Sequence, residues 1–148
     1  MKSDKKYEIL SFFESTVVHI IDVLGDRTTT NVQLFKFCKI LFGDRFTNVY
    51  SSDDKFRLKN DQCCIINTDS HLQHGTHWLS IYKHNNSYYV FDSFGRDVHT
   101  LSKYFKHKNW INVNFERFES YKQSNCGQLA VAFLVTFDKY KTKCIGVI

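Results

Sequence analysis

The spacing of apolar residues changes period along the chain. Between Tyr7 and Leu24 they fall at Ile9, Leu10, Phe13, Val17, Ile20, Ile21 and Leu24. Intervals of three and four put them on one helix face, and Gly25 supplies a stop. Thr28, Thr29, Thr30 and Asn31 then precede Val32, Leu34, Phe35, Cys38, Ile40 and Leu41. Such polar side chains satisfy the free N–H groups at a helix start, and Gly43 suits its end, so a second helix is predicted. Beyond it the pattern shortens. Cys63-Cys64-Ile65-Ile66 is a compact apolar run bounded by Asp61 and Asn67-Thr68-Asp69, which reads as a buried strand. Thr76 to Lys83 and Tyr88 to Phe94 are rich in aromatic and β-branched residues and flank His84-Asn85-Asn86-Ser87. Asparagine tolerates the positive φ of a tight turn, so these segments predict a hairpin. Asp97 to His107 predicts a short surface helix with Val98, Leu101, Tyr104 and Phe105 inward. Trp110 to Phe118 alternates like a strand. Gly127 to Phe137 is almost wholly apolar with Asn125 placed as cap, predicting a helix buried on most sides; periodicity alone leaves a strand as the alternative.

Helices before, within and after the strands predict a layered α/β or α+β domain around one sheet, spanning residues 1–148. At 148 residues and 43% hydrophobic, the chain can bury a substantial core. The absence of proline and a count of six glycines exclude collagen-like and low-complexity classes. No apolar run reaches the roughly 20 residues of a membrane span. The basic start, Met1 to Lys6, lacks a following apolar run and cleavage site, so neither secretion nor a membrane location is expected. Five cysteines, two of them adjacent, argue against a disulfide framework and for free thiols in a reducing compartment. A net charge of +5 permits non-specific attraction to DNA without demanding it.

Candidate chemistry emerges from the hairpin register. With the turn centred between Asn85 and Asn86, opposite residues have numbers summing to 171, so Leu79 faces Asp92 and His77 faces Phe94. His77 and Asp92 then lie diagonally on one face, within hydrogen-bonding reach. A carboxylate beside an imidazole fixes its tautomer and stabilises the imidazolium. Cys126 stands at the head of the apolar helix, where the dipole and free amides favour thiolate. Gly127 beside it would let a substrate backbone approach. The Gln123 amide could join the Cys126 backbone N–H in an oxyanion hole. Together these make a Cys–His–Asp nucleophile set. Zinc on His71, His74 and His77 with Cys63 and Cys64 is a weaker reading, because adjacent cysteines chelate poorly. Lys103 to Lys108 with Trp110 reads as a solvated face ahead of a nucleic-acid surface.

Three pieces, Gly75-Thr76-His77-Trp78, Tyr89-Val90-Phe91-Asp92-Ser93-Phe94-Gly95 and Gln123-Ser124-Asn125-Cys126-Gly127, resemble the adenovirus-type, adenain-like maturation cysteine proteases. The versions carried by virophages and Maverick/Polinton elements are the most similar, and the group is related to ubiquitin-like-protein proteases. The resemblance runs from about Thr28 to Phe137. It implies a papain-like fold with a central mixed sheet and the nucleophile at the N-terminus of a buried helix. It also implies His77 as general base, Asp92 as its orienting carboxylate and Cys126 as the nucleophile forming an acyl-enzyme, with Trp78 and Gly127 toward the substrate. An ungapped match sets Glu119 where the family carries its oxyanion glutamine. A carboxylate would repel an oxyanion, so Gln123 is assigned that part. The implied substrates are capsid or other virion precursors cut after small residues such as glycine, in the virion or in the cytoplasm or viral factory of an infected cell. No cofactor is required by the sequence, while the family admits a DNA or peptide activator. The alternatives are an isopeptidase for a ubiquitin-like modifier, a non-catalytic interaction protein and, as a minor case, an acetyltransferase with the same His, acid, Cys order.

Overall fold

A computed structural model describes residues 3–52, 54–68, 77–97, 109–114, 116–118 and 121–148, with Gln123 described in its backbone only. Helix α1 runs Ser3–Leu24 and buries Ile9, Phe13, Val17 and Ile20, the stripe that its spacing predicts. It stops at Gly25, which has φ +94° and donates its N–H to the Ile21 carbonyl. Helix α2, Asn31–Phe42, begins with a capping box: the Thr30 hydroxyl accepts from the Gln33 N–H while the Gln33 side chain accepts from the Thr30 N–H. Gly43 ends it with φ +59°.

Five strands form one mixed sheet in the order β1-β2-β3-β4-β5. They are β1 Phe46–Tyr50, β2 Cys63–Asn67, β3 Trp78–His84, β4 Ser87–Phe91 and β5 Trp110–Asn112. The outer pairs, β1–β2 and β4–β5, are parallel, and the central ones are antiparallel. The β3–β4 hairpin has the anticipated register: Ser80 faces Phe91, Ile81 faces Val90 and His84 faces Ser87. Asn85 and Asn86 turn it with φ of +48° and +66°. Nothing in the sequence reading anticipated β1, although Phe46, Thr47, Val49 and Tyr50 are good strand formers.

The last helix, α3 (Cys126–Tyr140), settles the helix-or-strand alternative and is buried along most of its length. The three helices share a core with the face of the sheet that carries Phe46, Cys63, Ile65, Trp78, Tyr82, Tyr89 and Phe91. Leu58, Cys64, Ile66, Leu79, Ile81, Tyr88 and Val90 pack on the opposite face with Tyr50, Phe56 and Trp110. Asp138 of α3 receives Arg45 at 2.7 and 3.1 Å and the Tyr82 hydroxyl at 2.7 Å, tying α3 to the head of β1 and to β3. Burial raises this carboxyl's pKa, but Arg45, Tyr82 and Lys141 outweigh it and hold it at about 2.

Two expectations need correction. The alternating stretch from Trp110 forms a strand only to Asn112. One further ladder bond, Val113 N–H to Val90 O, follows; then the Asn114 side chain takes both backbone groups of Asp92, where a sheet neighbour would have used main chain. Asn125 occupies the cap position of α3, but its side chain makes no capping bond and donates to Asp26 at 2.9 Å instead. The surface helix anticipated over Asp97 to His107 lies, beyond Asp97, outside the described residues.

Candidate active site

The hairpin and α3 converge at one end of the sheet. His77 immediately precedes β3 and Asp92 immediately follows β4. The main chain of His77 is anchored by its carbonyl, which accepts from the Thr68 N–H just beyond β2. Asp92 is anchored by Asn114, whose amide oxygen accepts from the Asp92 N–H at 3.3 Å and whose Nδ2 donates to its carbonyl at 2.7 Å. Because the two residues leave paired strands in register, their side chains meet. His77 Nε2 and Asp92 Oδ1 are 2.5 Å apart, with the side chains only 4% and 3% exposed.

Among the described residues the Asp92 carboxylate receives three donors, His77 being one. Oδ1 also accepts from the Phe94 N–H at 3.0 Å, and Oδ2 accepts from Arg96 Nε at 2.7 Å. The chain doubles back because Gly95, at φ +68°, closes a turn by donating to the Asp92 carbonyl. A Cβ on Gly95 would come within 2.6 Å of the Glu116 backbone, so close packing and the positive φ both call for glycine. Burial pushes the Asp92 carboxyl up, while His77, Arg96 and the Phe94 amide together bring it below the usual carboxylate value.

The other ring nitrogen, His77 Nδ1, is buried and has no hydrogen bond of ordinary geometry. Among the described residues the Cys126 thiol is the titratable group that acts on the ring besides Asp92. Burial lowers the imidazole's pKa, but Asp92 and Cys126, as hydrogen-bond partners and as charges, raise it above the free value. Since Nε2 is occupied by Asp92, Nδ1 is the nitrogen left for the sulfur. Cys126 is the first residue of α3 and is 1% exposed. The structure thus brings His77, Asp92 and Cys126 together.

The remaining sequence candidates fare differently. Trp78 is 2% exposed, lies in the helix-side core and donates its indole N–H to Asn31, so its surroundings are those of a packing residue. Gly127 is buried as well. A Cβ there would lie 2.1 Å from Thr29 Oγ1, so its missing side chain admits the α1–α2 loop and not a substrate backbone. The backbone of Gln123 lies in the 3-10 turn Gln123–Asn125 leading into α3. Its side chain, like Glu119, His71, His74 and the stretch Lys103 to Lys108, lies outside the described residues. Among the described residues no three His, Cys, Asp or Glu side chains form a metal cluster.

Several supporting residues escaped the sequence reading. Asn114, Phe94 and Arg96 hold Asp92 and His77, and the loop between α1 and α2 braces α3. Gln128 Nε2 donates to the carbonyls of Gly25 and Arg27 at 2.8 and 2.7 Å. Asp26 accepts from Lys122 and Asn125. The Asp-Ser-Phe-Gly-Arg order was a partial signal, since glycine three residues after an aspartate suits a turn that brings the next side chain back. Nothing in the sequence pairs residues 25–29 with 122–128.

No helix among the described residues is long and apolar enough to cross a membrane. Comparison with characterised proteins returned no significant match. The family model for the adenovirus endoprotease matches residues 54–147, a span that contains both hairpin strands and all of α3. With that match over more than half its length, the chain belongs to the adenovirus endoprotease family of viral cysteine endopeptidases.

Proposed function

We propose that this endopeptidase cleaves capsid or other virion precursor proteins during maturation, after small residues such as glycine, with Cys126 as nucleophile, His77 as base and Asp92 as the group that orients His77. The observation that carries the reading is the buried 2.5 Å contact between His77 Nε2 and Asp92 Oδ1, with Cys126 acting on the same ring. With Nε2–H donating to Asp92, the neutral ring has its lone pair on Nδ1. That nitrogen takes the Cys126 proton, giving a thiolate and an imidazolium. The thiolate attacks the scissile carbonyl carbon, and the Cys126 backbone N–H with the Gln123 amide receives the oxyanion. The C–N bond breaks as His77 passes its proton to the leaving amine, which leaves a thioester on Cys126. Water then adds to that thioester, giving its proton to His77. The second tetrahedral adduct expels the thiolate and releases the carboxylic acid. The reading sets the enzyme at work in the virion or the infected cell.

Limiting iodoacetamide at pH 6.5, followed by mass spectrometry, tests the nucleophile. Cys126 should be modified ahead of the other four cysteines, and His77→Ala should abolish that preference. A Cys126→Ala protein that still cleaves a glycine-containing virion precursor would overturn the assignment. Cleavage only of a ubiquitin-like conjugate, with precursors untouched, would transfer the site to the isopeptidase alternative.

A further inference from the structure

The Asp92 carboxylate faces two basic side chains, only one of which belongs to the triad. His77 approaches Oδ1, and Arg96 donates Nε to Oδ2 at 2.7 Å. Arg96 is placed there by the Asp92–Gly95 turn, so its side chain returns across the carboxylate. Its guanidinium also lies over the Phe94 ring at 5.4 Å, and Phe94 in turn lies flat against the His77 imidazole. Among the described residues the charged or titratable groups around His77 are Asp92 from the end of β4, Cys126 from α3, and Arg96 and Arg117 behind the Phe94 ring.

We propose that Arg96 is a positioning residue of this site: it fixes the direction in which Asp92 Oδ1 meets His77 and offsets part of the carboxylate's charge at the ring. The inference rests on the triad assigned above. A carboxylate held at Oδ1 alone, by His77 and the Phe94 N–H, keeps its second oxygen free to swing about Cβ–Cγ. One held on both oxygens cannot do so without breaking a charge-assisted bond. The offset has a chemical use. An unopposed buried carboxylate would retain the imidazolium proton strongly, yet the mechanism needs that proton delivered to the leaving amine. Removing the Arg96 charge therefore favours protonated His77.

The pH dependence of Cys126 carboxymethylation by iodoacetate, in the full chain, tests this without a peptide substrate. Iodoacetate is an anion, so its attack by the thiolate is assisted by the imidazolium and declines as His77 loses its proton. In Arg96→Met the declining limb should move to higher pH, so that the rate at pH 9 relative to that at pH 7 rises about threefold or more over wild type. Arg96→Lys, which keeps the charge, should leave the limb near its wild-type position. Arg96→Gln should shift it as Met does and serves if the Met variant fails to fold. A limb that stays put in both uncharged variants, or that moves as far in Arg96→Lys, overturns the proposal, whatever happens to thermal stability. Failure of the underlying triad has a different signature: wild-type Cys126 would react no faster than its neighbours, and His77→Ala would change nothing.

Discussion

Phe94 lies almost parallel to His77, with ring centroids 3.9 Å apart and planes 14° from coincidence. The turn that presents Asp92 to the edge of the imidazole thereby also covers its face. A ring gripped at one edge and backed by a plate samples few orientations, and proton transfer depends on that restriction. Phe94→Ala should lower the rate of selective Cys126 modification about tenfold, and Phe94→Leu should recover only part of it. Full reactivity in Phe94→Ala would show that the Asp92 bond alone orients the ring.

The paired charges predict a particular pH dependence of stability. The Asp92 carboxyl is held below its usual value of about 3.9, so its contribution is complete above that pH and is lost as pH falls through the native value. The His77 ring is held above its usual value of about 6.5, so its contribution is complete below that pH and is lost as pH rises through the native value. Both are present between about pH 4 and 6.5. Asp92→Asn should cost the most melting temperature in that window and less above it. Melting curves of the two proteins from pH 4 to 9 check this, and a gap that widened with rising pH would contradict it.

The five thiols should differ sharply in reactivity. Burial pushes Cys63 and Cys144 up to about 12, and it also raises Cys38 and Cys64. No described imidazole acts on these four, and the native protein should leave them unmodified at neutral pH. All five should react once the chain is unfolded in denaturant. Fast labelling of Cys63 or Cys144 in the native protein would mean that the core opens there.

Gly127 offers a packing test next to the nucleophile. Gly127→Ala drives a methyl to within 2.1 Å of Thr29 Oγ1 and should destabilise the fold by about 1–3 kcal/mol. Thr29→Ala removes that oxygen and leaves the next contacts at 3.4 Å, so the double variant should recover most of the loss. Denaturant titration of the four proteins measures the coupling. Independent, additive effects would show that the α1–α2 loop does not press on the head of α3.

Asn114 is the residue on which Asp92 leans. It is 4% exposed, and its amide serves the Asp92 N–H, the Asp92 carbonyl and, at 3.3 Å, the Glu116 carbonyl. Asn114→Ala leaves those buried backbone groups unpaired and should cost about 2–3 kcal/mol. It should also slow Cys126 modification, since the Asp92 backbone is then free to shift. A loss of stability with reactivity unchanged would confine Asn114 to a structural part.

Much of this architecture was legible from spacing. The helical stripe of α1, the Thr30 cap and the two-asparagine hairpin are local matters, decided by residues within a few positions of one another. The hairpin register follows from its turn, and with it the meeting of His77 and Asp92. Local pattern also misled. The alternation after Trp110 promised a longer strand, but Asn114 found buried backbone partners that sequence spacing does not reveal. Asn125 is a good capping residue whose side chain was claimed by Asp26, 99 positions away. Trp78 and Gly127 sit beside His77 and Cys126 in sequence, yet Trp78 packs in the core and Gly127 lies against Thr29.

Sequence alone therefore determined α1, α2 and the β3–β4 hairpin with its register, because neighbouring residues and their types suffice for those. It did not determine that β1 would join the sheet, that the α1–α2 loop would brace the head of α3, or that Arg96 and Phe94 would enclose the Asp92–His77 pair. The first two depend on segments far apart in the chain meeting in the folded structure, and the third on the Glu116 backbone closing against the Asp92–Gly95 turn. Removal of water favours pairing of buried polar groups with partners however distant along the chain, as Asn114 does with Asp92 and Asn125 with Asp26.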